Sequence, residues 1–191
     1  MFFRPTCQSV FISKTDSEPC SMQAPPLGAE GVDPVVAVFD GMPIQNHPLL
    51  RDRIIVDDPD DYASNYESKY RIHGTSMTSL AIYGDLNRND LPITSPVYVR
   101  PILRPKQVGL DSIQECVPDD KLFVDTLHRA VKRMMEGENG EDATAPNTKV
   151  INLSVGDPVR QLSTIMSPIA RLIDYLAYKY KILFIISAGN H

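Results

Sequence analysis

Residues 35–41 read Val-Val-Ala-Val-Phe-Asp-Gly, and this stretch decides the fold class. Its uninterrupted apolar run, rich in β-branched residues, is too short for a helix and is typical of a β-strand covered on both faces. Asp40-Gly41 then gives a turn signal at the end of the strand. Because a strand covered on both faces needs packing layers above and below it, we expect other parts of the chain to supply helices.

Other apolar stretches repeat this pattern and alternate with helices. Strand patterns occur at residues 97–103, 149–154 and 182–186. Apolar residues recur at helical spacing over 120–136, and again after Ser167-Pro168, an N-cap followed by proline at the first helical position. The alternation of strand and helix predicts an α/β fold, in which a mainly parallel β-sheet is flanked by helices on both sides.

Single residues set the expected limits of these elements. Pro101 interrupts the second strand pattern, so we expect this strand to be short or to lie at an edge of the sheet. Asp119 or Asp120 is the expected N-cap of the first helix, and Gly137 is its expected end. One apolar face is predicted for the second helix, formed by Ile169, Leu172, Ile173, Leu176 and Tyr180.

The composition is that of an ordinary globular protein and argues against two classes of partner. The 191 residues carry a net charge of −5 with no block of Lys or Arg, so we expect no binding to nucleic acid or to an anionic membrane. No apolar run is longer than the five residues of Ile182 to Ile186, which is too short to span a bilayer, and the N-terminus lacks the pattern of a signal peptide. We therefore predict a cytoplasmic protein.

Neither the cysteines nor the acidic residues indicate a defined metal site. Cys7, Cys20 and Cys116 are odd in number and include no Cys-x-x-Cys pair, so we expect reduced thiols and no zinc. Residues 57–61 read Asp-Asp-Pro-Asp-Asp but lack the alternating ligand spacing of a calcium loop. A solvated loop is the favoured interpretation, with calcium binding as the alternative, and no cofactor is expected.

Several residues that could take part in catalysis or binding fall at the expected carboxyl ends of the strands. Active and binding sites of parallel sheets usually lie at these ends. Asp40, Gly156 and the sequence Ala188-Gly189-Asn190 lie there, and His73 opens a His-Gly-Thr-Ser-Met block between the first two of these strand ends. Taken alone, Asp40 is a turn residue and His73 a cap or surface residue. The same interpretation is kept for His47, His128 and His191.

Four blocks in a fixed order change this interpretation. They are VVAVFDG at 35–41 with the NHPLL that follows at 46–50, HGTSM at 73–77, VINLSVG at 150–156 and FIISAGN at 184–190. Together they resemble the subtilisin-like serine peptidases, or subtilases, whose chain order is Asp, His, oxyanion-hole Asn and then Ser. The resemblance runs from about Val35 to the end of the chain, and makes 1–32 an N-terminal arm and 33–191 an incomplete catalytic domain.

The resemblance implies a role for each matching residue. Asp40 and His73 would be the acid and the base of the triad, and Asn190 would donate to the oxyanion. Main-chain groups at Leu153, Ser154, Val155 and Gly156 would pair with an extended polypeptide substrate, while Ala188 and Gly189 would form a pocket wall. The physical reason is that a serine hydroxyl reacts only when an imidazole takes its proton and a carboxylate fixes the imidazole tautomer.

The family's Gly-Thr-Ser-Met-Ala block, which carries the nucleophile, does not occur after Asn190 in this sequence. Gly74-Thr75-Ser76-Met77 is similar to it, but Ser76 follows His73 by three positions and leaves no other His block. We expect an incomplete domain that is inactive as given and that self-associates through an uncovered sheet edge and apolar face. Within the His-Gly-Thr block, Gly74 is expected to allow a tight turn and Thr75 to bond nearby backbone groups.

Two stretches of the sequence differ from the family pattern, and two other functions remain open. Asp40-Gly41-Met42 stands where Asp-Ser/Thr-Gly is usual, and Met77-Thr78-Ser79 replaces small residues, so the site is a candidate for degeneration. One alternative is a non-catalytic pseudopeptidase that binds extended peptides. The other is a haloacid-dehalogenase-like phosphotransferase, although Met42 occupies the position of that family's second Asp.

Overall fold

A computed structural model describes residues 31–86, 88, 91–108, 112–155 and 166–187, and the backbone of Cys7–Gln8. In these ranges the strands are β1 (Cys7–Gln8), β2 (Val36–Asp40), β3 (Ile54–Val56), β4 (Val97–Pro101), β5 (Arg104–Val108), β6 (Ser112–Cys116), β7 (Val150–Leu153) and β8 (Leu183–Ile186). The α-helices are α1 (Ile72–Tyr83), α2 (Phe123–Glu136) and α3 (Pro168–Tyr180).

Five strands form the central sheet in the order β3-β4-β2-β7-β8, and every pairing in it is parallel. The predicted α/β class is therefore confirmed. β4 lies between β2 and β3, so the expectation of an edge strand is wrong, although the strand is short. Pro101 is accommodated because it is the last residue of β4, where the parallel ladder ends opposite Asp40.

The two faces of the sheet are covered by different helices. On one face, Phe39, Tyr98 and Ile151 pack with side chains of α2 and α3. On the other face, Val38, Val97 and Val99 pack with Ile82 and Tyr83 of α1. The predicted face of α3 contributes to the first of these clusters, with Leu176 fully buried and its predicted neighbours partly buried.

The limits of the helices agree with the sequence in three places and differ in one. The Ser167 hydroxyl accepts the Ala170 N–H at 3.2 Å, with Pro168 at the start of α3. Gly137 ends α2 with a φ of 85°. Asp119 and Asp120 do not cap α2, whose N-cap is Leu122, because their carboxylates pair with Lys106 and Arg104 of β5.

A small antiparallel sheet of order β1-β6-β5 was not predicted. β1 falls in the segment for which we expected little regular structure, and it pairs with Cys116 and Glu115 of β6. Cys116 is disulfide-bonded, so the expectation of reduced thiols is wrong for this residue. The division into an arm at 1–32 and a domain at 33–191 remains a prediction.

The sheet has an open end at β8 in the described part of the chain. β8 pairs with β7 on one side, and Leu183, Ile185 and Ile186 of this strand are exposed to 61%, 51% and 37%. Phe184 is partly buried against the α2–α3 cluster, so the exposed Leu183 and Ile185 point to the opposite face of the sheet.

None of the helices in the described ranges is both long enough and apolar enough to cross a membrane. The predicted location in the cytoplasm rests on the sequence of the N-terminus and stays a prediction.

Candidate active site

Asp40 and His73 come together at the carboxyl edge of the central sheet. Asp40 is the last residue of β2, and His73 lies in the first turn of α1. Their side chains meet through His73 Nδ1 and Asp40 Oδ1 at 2.7 Å, although 33 positions separate them. An ionised carboxylate can only accept, so this geometry assigns the proton to Nδ1 and leaves Nε2 as the imidazole's acceptor nitrogen.

The Asp40 carboxylate is held in an environment that opposes its charge. Its side chain is fully buried, and burial raises the pKa of this carboxyl, while the bond and charge of His73 act in the opposite direction. Oδ1 also accepts the Gly41 N–H at 2.6 Å. Oδ2 has no hydrogen-bond partner among the described residues, so the interaction with His73 is the main compensation for burying this group.

Helix α1 is placed against the end of β2 by Gly74. A Cβ on Gly74 would collide with the Gly41 carbonyl and lie 3.1 Å from the Met42 carbonyl carbon. Gly74 was expected to allow a tight turn, and this is wrong because α1 begins two residues earlier and Gly74 is helical. Its actual function is to let the helix backbone approach closely enough for His73 to reach Asp40.

Thr75 ties the same turn of the helix to the loop after β2, as the sequence predicted. Its hydroxyl donates to the Arg71 carbonyl at 2.5 Å and accepts the Ile44 N–H at 2.9 Å. Ser76 is exposed and makes no hydrogen bond with His73. Its position gives no support to Ser76 as the nucleophile.

The larger residues after His-Gly-Thr-Ser are accommodated within α1. Met77 packs partly buried against the α1 face of the sheet. Thr78 is fully buried, and its hydroxyl donates to the Gly74 carbonyl at 2.7 Å, which satisfies the polar group inside the helix. Ser79 is partly exposed.

A second acidic residue, which the sequence did not indicate, lies beside this pair. Glu115 of β6 is only 9% exposed, and its Oε1 is in contact with the Tyr66 hydroxyl. Burial, together with the nearby charge of Asp40, raises the pKa of Glu115 to about 8. The Gln-Glu-Cys sequence in which it occurs carries no local signal of burial, because the contacts that bury Glu115 come from distant parts of the chain.

The expected substrate-binding stretch is described only in part. Leu153 ends β7 in the interior of the sheet, and its carbonyl accepts the Ser187 N–H at 3.4 Å. Ser154 and Val155 are 8% and 4% exposed, and the Ser154 hydroxyl bonds to Asn152 at 2.7 Å. Gly156, Ala188, Gly189 and Asn190 lie outside the described residues.

The acidic loop at 57–61 is an ion-pair centre rather than a solvated loop. Asp57 and Asp60 have side chains exposed by only 11% and 14%. They pair with four cationic side chains: Arg100, Lys121, Arg129 and Arg133. For Asp60, burial alone would raise the pKa, but the neighbouring cations outweigh it and lower the pKa. Within the described ranges, no group of three or more His, Cys, Asp or Glu is arranged to hold a metal ion.

Comparison with known proteins gives one result. The sequence pattern described as the subtilase family of peptidases matches residues 31–191. A search of curated proteins and a search of solved structures gave no match.

Proposed function

Because the chain belongs to the subtilase family of serine peptidases, we propose that it supplies the acid, the base and the oxyanion donor of an endopeptidase site. The observation that carries the proposal is the 2.7 Å contact between His73 Nδ1 and Asp40 Oδ1 at the carboxyl edge of a parallel sheet. Membership of the subtilase family argues against the alternative of a haloacid-dehalogenase-like phosphotransferase.

In the proposed mechanism, Asp40 keeps His73 in one tautomer and one orientation. His73 Nε2 takes the proton of a serine hydroxyl as its oxygen attacks the carbonyl carbon of the scissile peptide. The carbonyl oxygen becomes an oxyanion, to which the Asn190 side-chain amide donates. The imidazolium then returns the proton to the leaving amine, and water repeats the cycle on the acyl-enzyme. Asp40 stays ionised and stabilises the imidazolium.

The proposed substrate is a polypeptide in an extended conformation. The Leu153 carbonyl is already bonded to Ser187, so pairing with substrate falls to main-chain groups of 154–156. We propose Ala188 and Gly189 for the wall of the pocket that takes the residue before the cleaved bond.

The serine is the component to be tested, because Gly-Thr-Ser-Met occurs in this sequence at 74–77 alone, beside His73. The test joins residues 1–191 to a following segment that carries a second Gly-Thr-Ser-Met block and assays an unfolded protein substrate. We expect cleavage that Ser76→Ala leaves intact, and that is lost when the serine of the added block is replaced. Asp40→Asn should lower kcat by about 10⁴-fold, the loss typical of an imidazole in the wrong tautomer.

The same experiment decides between peptidase and peptide-binding module. Cleavage that does not depend on Asp40 and His73 would contradict the proposed roles of these residues. Binding of an extended peptide with no cleavage, in a chain that folds, would instead support a pseudopeptidase.

A further inference from the structure

The carboxyl group of Glu115 occupies the space that a side chain on Gly41, the residue after Asp40, would fill. A Cβ on Gly41 would collide with Glu115 Oε1 and with the Tyr66 hydroxyl, and would lie 2.9 Å from Glu115 Cδ. Gly41 stands where the family pattern usually has Ser or Thr. In this chain a residue 74 positions further along therefore packs on the Cα that normally carries a hydroxyl-bearing side chain.

Gly41 is the part of the backbone that connects the two proposed catalytic groups. Its N–H donates to Asp40 Oδ1 at 2.6 Å, the same oxygen that faces His73. Its carbonyl lies against Gly74, the neighbour of His73 in α1. A displacement of Gly41 would therefore alter the orientation of Asp40 and the approach of the helix at once.

Glu115 is held firmly over this point. It lies in β6, which pairs with β5 on one side and with β1 on the other, and the next residue, Cys116, is disulfide-bonded. The Tyr66 hydroxyl contacts Glu115 Oε1, and Tyr66 itself is 3% exposed. Both groups are thus fixed by the surrounding fold.

No cation neutralises Glu115 within the described residues. Its strand neighbours at the same register are Gln8 and Pro105, which carry no charge. The basic residues of β5, Arg104 and Lys106, pair instead with Asp120 and Asp119.

Among the residues that the structure describes, two further groups act on Glu115, one neutral and one acidic. They are the Tyr66 hydroxyl and, across Gly41, the carboxylate of Asp40. Arg71 lies over the Tyr66 ring at 5.8 Å, and its N–H groups donate to the carbonyls of Tyr66 and Ala63. With its pKa raised to about 8, Glu115 is protonated at neutral pH and adds no second negative charge beside Asp40.

We propose that Glu115 is a positioning residue: its carboxyl group clamps Gly41, and through Gly41 it holds Asp40 in place for His73. This inference rests on the proposed function, since it concerns the same site. It predicts that Gly41 and Glu115 are a compensating pair, in which a side chain at 41 and a carboxyl group at 115 exclude each other.

The test follows the His73 Nδ1–H resonance by NMR in the full chain, at neutral pH, with folding checked by circular dichroism. Glu115→Gln should retain the resonance, because the amide replaces a neutral acid of the same shape. Glu115→Ala and Gly41→Ser should each lose it through faster exchange. The triple variant Gly41→Ser/Tyr66→Phe/Glu115→Ala should regain it, because both oxygen atoms that a Cβ at residue 41 would meet are then removed.

Following the His73 Nδ1–H resonance over a series of pH values adds a second test. A Glu115 side chain that only fills space would not make this resonance depend on pH. In the natural chain the resonance should shift as Glu115 ionises above a pH of about 8, and in Glu115→Gln this shift should be absent. A resonance unaltered in Glu115→Ala, or not regained in the triple variant, would overturn the proposal. If Glu115→Ala fails to fold, the triple variant and Glu115→Gln still test it. These readouts need no peptidase activity, so a failed cleavage assay and a failed positioning role are distinguishable.

Discussion

Gly74 of α1 packs directly against the main-chain carbonyl of Gly41, the residue that follows Asp40. This contact between two glycines sets how closely the helix bearing His73 approaches the strand bearing Asp40. The hydrogen bond between the two side chains, at 2.7 Å, depends on that approach. The geometry of the proposed catalytic pair therefore depends on backbone packing as well as on the pair itself.

Gly74→Ala should destabilise the chain, although alanine is the better helix former by about 1 kcal/mol. The added methyl group meets the Gly41 carbonyl, and overpacking of this kind costs about 1–3 kcal/mol. Urea unfolding measures the change. Ser76→Ala is the matched control, since Ser76 is exposed on the same helix and should lose nothing. Equal stability of the two variants would show that the helix and the loop are not in contact.

Glu115→Gln should change how stability depends on pH. Because the pKa of Glu115 rises from 4.5 in the unfolded chain to about 8 in the fold, the folded state binds its proton more tightly. The natural chain should therefore lose stability relative to the variant as pH rises from about 4.5 to about 8, and little more above that. The total is a few kcal/mol, at about 1.4 kcal/mol per pKa unit.

Denaturation curves of both proteins across this pH range measure the difference. Glu67→Gln is the control, because it makes the same substitution at a side chain that is 66% exposed. If the free energies of unfolding of the natural chain and Glu115→Gln differ by the same amount at every pH, Glu115 is not a buried acid that is neutral in the folded state.

His73→Ala should destabilise the chain more at neutral than at acidic pH. At neutral pH the variant leaves the buried Asp40 carboxylate without its imidazole partner, at a cost of about 3 kcal/mol. The pKa of Asp40 is raised by burial, and the variant removes the opposing effect of His73, so the carboxyl takes up a proton more readily as pH falls and the cost decreases. Unfolding free energies at the two pH values test this, with the exposed His128→Ala as control. A loss that is the same at both values would contradict it.

Self-association should proceed through β8. The strand has one partner in the described sheet, and Leu183 and Ile185 are exposed on the face that carries α1, whose apolar cluster includes residues of β2 and β4 but none of β8. Light scattering at micromolar concentration should show aggregates for the natural chain and fewer for the double variant Leu183→Lys/Ile185→Lys. Leu91→Lys, at a residue 93% exposed outside the sheet, should not reduce them. Light scattering that shows only a monomer for the natural chain would contradict self-association through β8.

The parts of the fold that were predicted from the sequence are those with a local signal. β2 is a short β-branched run, and α3 has a serine cap, a proline at its start and one apolar face. Such patterns depend on neighbouring residues alone, so they are visible without the fold. The order Asp, His and Asn along the chain similarly predicted that these residues lie together at one edge of the sheet. The structure brings Asp40 and His73 together there.

The parts that were missed depend on distant contacts. The interior position of β4 follows from pairing with β3, a strand of three residues that has no clear pattern of its own. In α1 the buried residues include Gly74 and Thr78, so the helix lacks a regular apolar face, and a helix here was expected only at the His-Gly-Thr block and not from a hydrophobic pattern. Glu115 became part of the site only because β6 folds over Gly41.

Whether Asp40 holds the imidazole of His73 is best measured by NMR of labelled histidines, comparing the natural chain with Asp40→Asn. A slowly exchanging Nδ1–H resonance of His73 is expected in the natural chain and should be absent in Asp40→Asn and in His73→Ala. A His73 resonance that is the same with and without the Asp40 carboxylate would contradict it.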